Sequence, residues 1–195
     1  MSSINFQNGT IIPASWLNDV NDFVYGSDPH NAANVTYDPP FTGAVPESVA
    51  DKLAQTVSVK DFGAVGDGVT DDTDAFIAAL ANGQSVFIPD GVYLITSSLT
   101  VSIDGQMIYG NGYGKSVVQR GNDDSFTIFN VTAAYGVEFH NFKIQEPNLS
   151  YTNTGNFITC VQGAGTDVLI QGMWFWYGYV HVRCLQGTSN ITFSN

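Results

Sequence analysis

The chain has 195 residues, with 18 acidic and 6 basic side chains and a formal net charge of −12. It contains no run of lysine or arginine that could follow a phosphate backbone, and no stretch reaches the roughly 18 apolar residues of a membrane span, so nucleic acid and membrane insertion are excluded. Charged residues make up only 12% and aromatic residues 13% of the chain. Together with abundant Gly, Ser, Thr and Asn, this composition predicts a mainly β protein.

The first predicted segment, residues 1–26, contains a short amphipathic helix in PASWLNDVNDFVY. Five apolar side chains share one face of this helix: Trp16, Leu17, Val20, Phe23 and Val24. Pro13 or Ser15 suits its start, and Gly26 its end. Since thirteen residues are marginal for an isolated helix, the apolar face is expected to pack against this chain, a second copy or another protein. The first ten residues show no secretory signal, so we expect synthesis in a cytoplasm.

Residues 27–56 are expected to form an extended linker, or neck. Four of the seven prolines lie here, separated by Gly, Asn and Asp: Pro29, Pro39, Pro40 and Pro46. A short helix is predicted in ESVADKLAQ (47–55), where Val49 and Leu53 share a narrow face.

Residues 57–84 are predicted to form a strand, a glycine-rich turn and a helix. Asp71 or Asp72 is suited to the N-cap of this helix, which runs to Ala81 with Gly83 beyond its end. The buried face of the helix is expected to consist of Phe76, Ile77 and Leu80.

Residues 85–195 contain a repeat. FTIFNVTAAYGVEFHNFKI (126–144) aligns without gaps on FITCVQGAGTDVLIQGMWF (157–175), and a further copy begins in VRCLQGTSNITF. The first offset is 31 residues and the second 23 to 24, and the difference is assigned to a loop insertion, QEPNLSYTN (145–153). A period of this length, made of short alternating strands, is typical of a β-solenoid whose coils stack roughly 4.8 Å apart.

Stacked coils align equivalent residues into internal ladders. The alignment pairs four apolar residues, Val137, Phe139, Phe142 and Ile144, with Val168, Ile170, Met173 and Phe175. It also makes Cys160 and Cys184 neighbours, with Phe129 at the same position one coil earlier. Two buried thiols are the main interpretation, and a disulfide or a reactive thiol is the alternative.

An acidic cluster precedes the predicted helix: Asp67, Asp71, Asp72 and Asp74. Its spacing lacks the ligand pattern of a known calcium loop, whereas aspartate at a helix N-terminus is favoured by capping and by the helix dipole. We therefore expect structural capping, with metal binding and catalysis as alternatives, and we predict no metal and no cofactor.

Candidate catalytic residues are scattered through the coils. Six acids lie in this region, and no two form a convincing pair: Asp104, Asp123, Asp124, Glu138, Glu146 and Asp167. Glu138 and His140 share the outward side of one strand, where a solvated face is expected. The aromatic run MWFWYGY (173–179) offers three rings for contact with a neighbouring subunit or with sugar: Trp174, Trp176 and Tyr179.

The segment VSVKDFGAVGDGVTDDTDAFIAAL (57–80) resembles the opening motif of the pectate-lyase-like β-helix superfamily found in phage tailspikes and polysaccharide depolymerases. The leader NGTIIPASWLNDVNDFVY and the junction FTGAVPESVADKLAQTVSVKDFGA look like the head-binding region of phage tail fibres and tailspikes. Together the two resemblances span roughly residues 6–114.

The resemblance implies a right-handed parallel β-helix and a homotrimer, with the leader seated on tail, baseplate or portal-proximal proteins of a virion assembled in the host cytoplasm. It further implies binding, and in many members cleavage, of host capsule, O-antigen or exopolysaccharide. Whether the reaction is lyase or glycosidase chemistry stays open. The alternatives are a secreted polysaccharide lyase or hydrolase and a non-enzymatic adhesin. Because the chain stops within a coil, a catalytic site is expected to lie further along a longer spike.

Overall fold

The computed structural model describes residues 33, 35–83, 85–121, 125–132, 134–146, 157–161, 167–176, 182–184 and 190–194. The predicted leader helix, with its apolar face of Trp16, Leu17, Val20, Phe23 and Val24, lies outside the described residues, as does Tyr179. The chain divides into two compact units, Met1–Leu53 and Ala54–Asn195.

In the described part of the first unit, two short strands interrupt the segment predicted as an extended linker. Strand β1 (Thr36–Tyr37) pairs antiparallel with β2 (Glu47–Ser48). Between them, a turn is closed by a hydrogen bond of 3.1 Å from Ala44 N to Phe41 O. Helix α1 (Val49–Ala54) follows at once and confirms the helix predicted within 47–55. Proline and glycine therefore reverse the chain here instead of keeping it extended.

The second unit is built from parallel sheets, which we number I to III. Sheet I contains β3 (Val57–Ser58), β5 (Ser85–Ile88), β8 (Met107–Gly110), β11 (Val137–His140), β14 (Asp167–Gln171) and β17 (Asn190–Ser194). Sheet II contains β4 (Asp67–Asp71), β6 (Gly91–Ile95), β9 (Ser116–Arg120), β12 (Lys143–Gln145) and β15 (Trp174–Trp176). Sheet III contains β7 (Leu99–Val101), β10 (Phe129–Thr132), β13 (Ile158–Val161) and β16 (Val182–Cys184).

From β5 onward the chain visits sheets I, II and III in strict order and then returns to sheet I beside its previous strand. The strand pairs in these sheets are parallel. This arrangement is a parallel β-helix and confirms the predicted solenoid. Its right-handed sense and its trimeric state stay predictions.

The bore of the β-helix is filled by alternate side chains of the three sheets. Successive strands show the expected alternation of buried and partly exposed positions, as in β11, where Val137 and Phe139 are buried. Phe129 meets Phe139 and Phe142 at ring-centroid distances of 5.3 and 6.1 Å in edge-to-face geometry. Apolar burial of this kind is the main term favouring the stacked coils.

The register of the coils confirms most of the predicted ladders. Val137 pairs with Val168, Ile144 with Phe175, and Cys160 with Cys184. Phe129 is the exception, because it pairs with Ile158, whereas Val131 lies opposite Cys160. Val137 follows Phe129 by eight positions, but Val168 follows Ile158 by ten positions. The inserted residues are therefore divided between two connections, and the gapless alignment was wrong in sheet III.

One end of the bore meets a 3₁₀ turn (Val59–Phe62) and helix α2 (Thr73–Asn82). Helix α2 lies in the chain between β4 and β5, where later coils place a strand of sheet III. Phe76 and Leu80 are buried as predicted, but Ile77 is 44% exposed. The buried face is completed instead by Ala75 and Ala79, because the small alanine side chains let the helix approach the strands closely.

Gln106 connects the helix to the next coil. Its side chain is fully buried, and its Nε2 donates hydrogen bonds to the carbonyl of Leu80, at 2.8 Å, and to the carbonyl of Gly83. These two carbonyls belong to the C-terminal end of α2, where backbone acceptors lack partners within the helix. A buried amide thus satisfies them and joins the cap to β8.

Candidate functional site

Three carboxylates of the acidic cluster hold the turn before α2. Asp67 accepts hydrogen bonds from the backbone N–H groups of Val69 and Thr70 at 2.8 and 2.7 Å. Asp72 is buried and accepts from the N–H groups of Val65 and Gly66 at 2.6 and 3.2 Å. Asp72 occupies the N-cap position, but its side chain makes no cap hydrogen bond.

Asp71 is the carboxylate that contacts the start of the helix. It accepts from Thr73 N at 3.0 Å and from Thr96 Oγ1 at 2.6 Å. Burial acts to raise the pKa of Asp71, but the hydrogen bonds from Thr73 and Thr96 hold this pKa below its usual value. Asp74 lies in the first turn of α2. In the part of the chain that the structure describes, no three acidic, histidine or cysteine side chains form a metal-binding group.

A second group of polar residues lies on the outer face of sheet I. The register places Met107, Glu138 and Leu169 in one row across the strands, and Tyr109 beside His140 in the next row. Asp167 begins β14 and lies opposite Asn190 of β17. Because alternate residues of a strand share a face, Glu138, His140, Asp167 and Leu169 all project outward.

A cleft of about 400 Å³ opens on this face. Its lining comes from three successive strands of sheet I: Gly136, Val137, Glu138, Asp167, Val168, Leu169 and Thr192. Both carboxylates of the cleft therefore belong to adjacent coils. We call the outward-facing residues of β5, β8, β11, β14 and β17 the sheet I face.

Within the cleft, Glu138 and Asp167 are diagonal neighbours. Glu138 pairs with Leu169, and Asp167 lies two residues earlier on that strand. With parallel strands about 4.8 Å apart and a rise of about 3.3 Å per residue, the Cα atoms of such diagonal neighbours lie roughly 8 Å apart. Glu138 is also held by His140, whose Nε2 lies 2.8 Å from its Oε2. Glu138 and Asp167, which are distant in the sequence, therefore line the same cleft. The 31-residue offset of the repeat already indicated this, because it aligns Asp167 with Gly136, two residues before Glu138.

An aromatic pair extends the sheet I face beyond the cleft. The rings of Phe87 and Tyr109 lie 5.2 Å apart with an interplanar angle of 33°. Phe87 and Tyr109 are direct register partners in β5 and β8, and Tyr109 is the partner of His140. A track of aromatic, histidine and carboxylate side chains therefore crosses four coils.

The exposed tryptophans lie on a different surface, the outer face of sheet II. Trp174 and Trp176 are 52% and 45% exposed, and Trp174 stacks on Tyr113 at 5.2 Å. Lys143 is nearly buried beneath these rings, with Nζ 3.7 Å from the centroid of Trp176, and burial lowers the pKa of Lys143. The sequence pattern that pointed to the tryptophans gave no signal for Lys143, because the aromatic neighbours of this lysine come from the next coil.

A buried ion pair connects two coils at the edge of sheet II. Arg120 Nη2 lies 3.1 Å from Glu146 Oε1, and both side chains are almost completely buried. The guanidinium also lies over the rings of Phe126 and Phe157, at 5.5 and 5.2 Å from their centroids. Because Arg120 is buried, its positive charge is not available to a ligand on the outer surface of the β-helix.

Residues 56–192 match the family model "Rhamnogalacturonase A/epimerase, pectate lyase-like". The fold defines a protein of the parallel β-helix class. The chain belongs to the pectate-lyase-like family described by that model, and the resemblance drawn from residues 57–80 is confirmed.

Relatives include phage appendage proteins and polysaccharide-modifying enzymes. The chain is 45% identical over 71 residues to the pre-neck appendage protein of Bacillus phage B103, an alignment that covers 36% of this chain and 8% of that protein. It is 35% identical over 137 residues to the mannuronan C5-epimerase AlgE4 of Azotobacter vinelandii, covering 58% and 25%. The crystal structure of tailspike protein 3 of bacteriophage CBA120 superposes with a TM-score of 0.61 at 24% identity, covering 85% and 28%, and shows the shared fold.

The chain thus spans a quarter or less of the two relatives in sequence. Among the helices that the structure describes, none is long and apolar enough to cross a membrane.

Proposed function

We propose that this chain is part of a phage tail appendage whose β-helix contacts polysaccharide on the surface of the host. The observation that carries this proposal is the sheet I face, where a cleft with two carboxylates continues into an aromatic pair. Carbohydrates present hydroxyl groups on their edges and apolar C–H groups on their ring faces, and such a track offers partners for both. Relationship to a phage pre-neck appendage protein supports the assignment to a phage particle.

The proposed division of labour follows the chain. Residues 1–26 would attach the appendage to tail, baseplate or portal-proximal proteins through the apolar face that includes Trp16 and Phe23. Residues 27–56 would act as the neck, residues 57–84 as the opening motif with its capping helix, and residues 85–195 as the first coils. Capsule, O-antigen or exopolysaccharide is the proposed ligand of the coils.

A binding measurement tests the polysaccharide part of the proposal. We expect the chain to cosediment with host surface polysaccharide, and the double substitution Glu138→Gln with Asp167→Asn to weaken the binding. A matched control is Asp104→Asn, an acid whose carboxylate accepts a hydrogen bond from Tyr135 N, outside the cleft. Equal binding by the cleft variant and the wild type would place the contact elsewhere.

Glycoside hydrolysis is a second candidate function of the same cleft. Glycosidases use two carboxyl groups that face one groove, and Glu138 and Asp167 supply two such groups from adjacent strands of the cleft. Hydrolysis would break the glycosidic C–O bond, with one acid giving its proton to the leaving oxygen. The other carboxylate would take a proton from water as the water oxygen forms the new bond to the anomeric carbon. New reducing ends released by the wild type, and lost in Glu138→Gln, would support it, whereas unsaturated products would indicate lyase chemistry.

A further inference from the structure

The distribution of basic residues around the β-helix distinguishes its outer surfaces. All six basic residues of the chain are placed by the structure. The strands of sheet I contain no lysine or arginine. Lys143 and Arg120 belong to sheet II, Arg183 to sheet III, and the others lie in α1, the 3₁₀ turn and the turn before β9: Lys52, Lys60 and Lys115.

Two basic residues that follow β8 along the chain are already engaged. Lys115 Nζ lies 3.8 Å from a carboxylate oxygen of Asp90. Arg120 is buried with Glu146. The sheet I face instead presents two carboxylates in its cleft, together with the hydroxyl of Thr192 and the amide of Gln171 on the same side of their strands. Ionised carboxylates accept hydrogen bonds and donate none.

We propose that the sheet I face selects glycans without carboxylate, sulfate or phosphate groups, so that its ligand is a neutral or amino-bearing polysaccharide. This inference rests on the proposed function and narrows it to a substrate class. Hydroxyl or ammonium groups of the glycan donate to Glu138 and Asp167, and the rings of Phe87 and Tyr109 pack against the C–H face of the sugar.

Exclusion of anionic glycans follows from the same geometry. A uronate bound in the cleft would bring its charge close to Glu138 or Asp167 without a lysine or arginine on the sheet to compensate for it. Like charges at contact distance are unfavourable even where solvent screens them, and the net charge of −12 adds to the repulsion. Selectivity of this kind uses repulsion of the wrong ligand as well as attraction of the right one.

The surface of sheet II provides an internal comparison. There Lys143 lies beneath Trp176, and the amides of Gln119 and Gln145 form a hydrogen bond of 2.8 Å beside it. A cation and amide donors next to exposed rings suit an anionic ligand better than the sheet I face does. Any binding of an acidic glycan at this second surface would depend on Lys143, whereas exclusion of the acidic glycan from the cleft would depend on Glu138 and Asp167.

The test uses pairs of oligosaccharides that differ only in charge. Mannuronan and galacturonan oligosaccharides are each compared with their carboxyl-reduced forms, and neutral glucan, galactan and partly deacetylated chitin oligosaccharides complete the panel. Affinity is measured by isothermal titration calorimetry at low and at raised ionic strength. We expect at least one neutral or amino-bearing glycan to bind, and each carboxyl-reduced form to bind about tenfold or more tightly than its acidic parent.

Two variants assign the site. Glu138→Gln with Asp167→Asn should weaken binding of the neutral glycan and should reduce the difference in affinity between the acidic and carboxyl-reduced forms. Lys143→Met should leave binding of the neutral glycan unchanged. Circular dichroism checks that each variant is folded. Tighter binding of an acidic parent, lost in the cleft variant, would overturn the selectivity while leaving the polysaccharide-binding function intact. Failure of every glycan to bind the folded wild type would overturn the proposed function itself.

Discussion

Tyr93 shows how closely the first coils are packed at the level of single residues. Its fully buried ring meets Phe76 edge-on at 5.5 Å, and its hydroxyl donates to the carbonyl of Pro89 at 3.2 Å. Gly66 lies against the ring with a φ of 73°, and a Cβ there would be only 2.8 Å from Tyr93 Cε1. The glycine of the opening motif is therefore required both by its backbone conformation and by the approach of the tyrosine.

The ionisation of Tyr93 gives a prediction about alkaline stability. Burial, together with the charges of Asp72 and Asp90, raises the pKa of Tyr93 to about 12 from 10.0. Since the folded state holds this proton more tightly than the unfolded state, the stabilisation is present below pH 10 and is lost as the pH rises towards 12. Thermal unfolding followed between pH 9 and 12 should show a steeper loss of Tm for the wild type than for Tyr93→Phe, and parallel curves would contradict this origin.

Asp72 carries the prediction about the acidic cluster. Its carboxylate is buried and accepts from two backbone N–H groups of the glycine-rich turn, so Asp72→Ala should reduce the free energy of unfolding by about 2–3 kcal/mol. Asp74→Ala is the matched control, because Asp74 is an exposed acid of the same cluster. Urea denaturation measures both, and similar losses for the two variants would argue against a structural role specific to Asp72.

At the scale of elements, the repeat made the parallel strands and most of their register predictable. Alternation identified the inward positions of β11 and β14, and the fixed offset paired them, because identical sheet positions must stack in a solenoid. The offset failed for Phe129 because two residues of the insertion lie within a connection, where no apolar pattern constrains the length. Ile77 was wrongly predicted to be buried. In a helix of ten residues, the spacing of the apolar side chains does not determine which residues at the margin of the buried face are exposed.

The cleft was only partly predictable. Glu138 and His140 were expected to face outward and do so, but the approach of Asp167 depended on reading the register across coils. The surroundings of Trp174 and Trp176 were not predictable either, because their neighbours Tyr113 and Lys143 come from other coils and are distant in sequence. Side-chain contacts between coils join residues that are distant in sequence, so they are the hardest to predict from the spacing of residues along the chain.

The ion pair between β9 and the residue after β12 gives a prediction at this scale. Arg120→Met alone should cost about 3–5 kcal/mol, because it leaves the buried charge of Glu146 without its guanidinium partner. Arg120→Met combined with Glu146→Leu should recover most of that loss, since apolar side chains of similar size can replace a buried pair. Urea denaturation of the single and double variants measures the coupling, and additive losses would show that the pair does not act as a unit.

At the scale of the whole molecule, we propose a homotrimer on the basis of the family resemblance. The exposed rings of Trp174 and Trp176 offer contact area for a neighbouring copy, although glycan contact is the alternative for them. Light scattering should give the mass of three chains. Trp174→Ser with Trp176→Ser should dissociate the trimer without affecting the sheet I cleft, whereas a monomeric wild type would contradict the assembly.

The link from Gln106 to the end of α2 bears on how the β-helix forms. The strands of each coil pair in register with the strands of the coil before it, so each coil acts as a template for the next. Helix α2 belongs to the first coil, where it takes the place of a sheet III strand, and Gln106 of the next coil binds two carbonyls at its C-terminal end. We therefore expect docking of α2 to be an early step in folding, on which formation of the later coils depends. Loss of the Gln106 side-chain amide is therefore expected to slow or prevent folding of all the later coils of the β-helix.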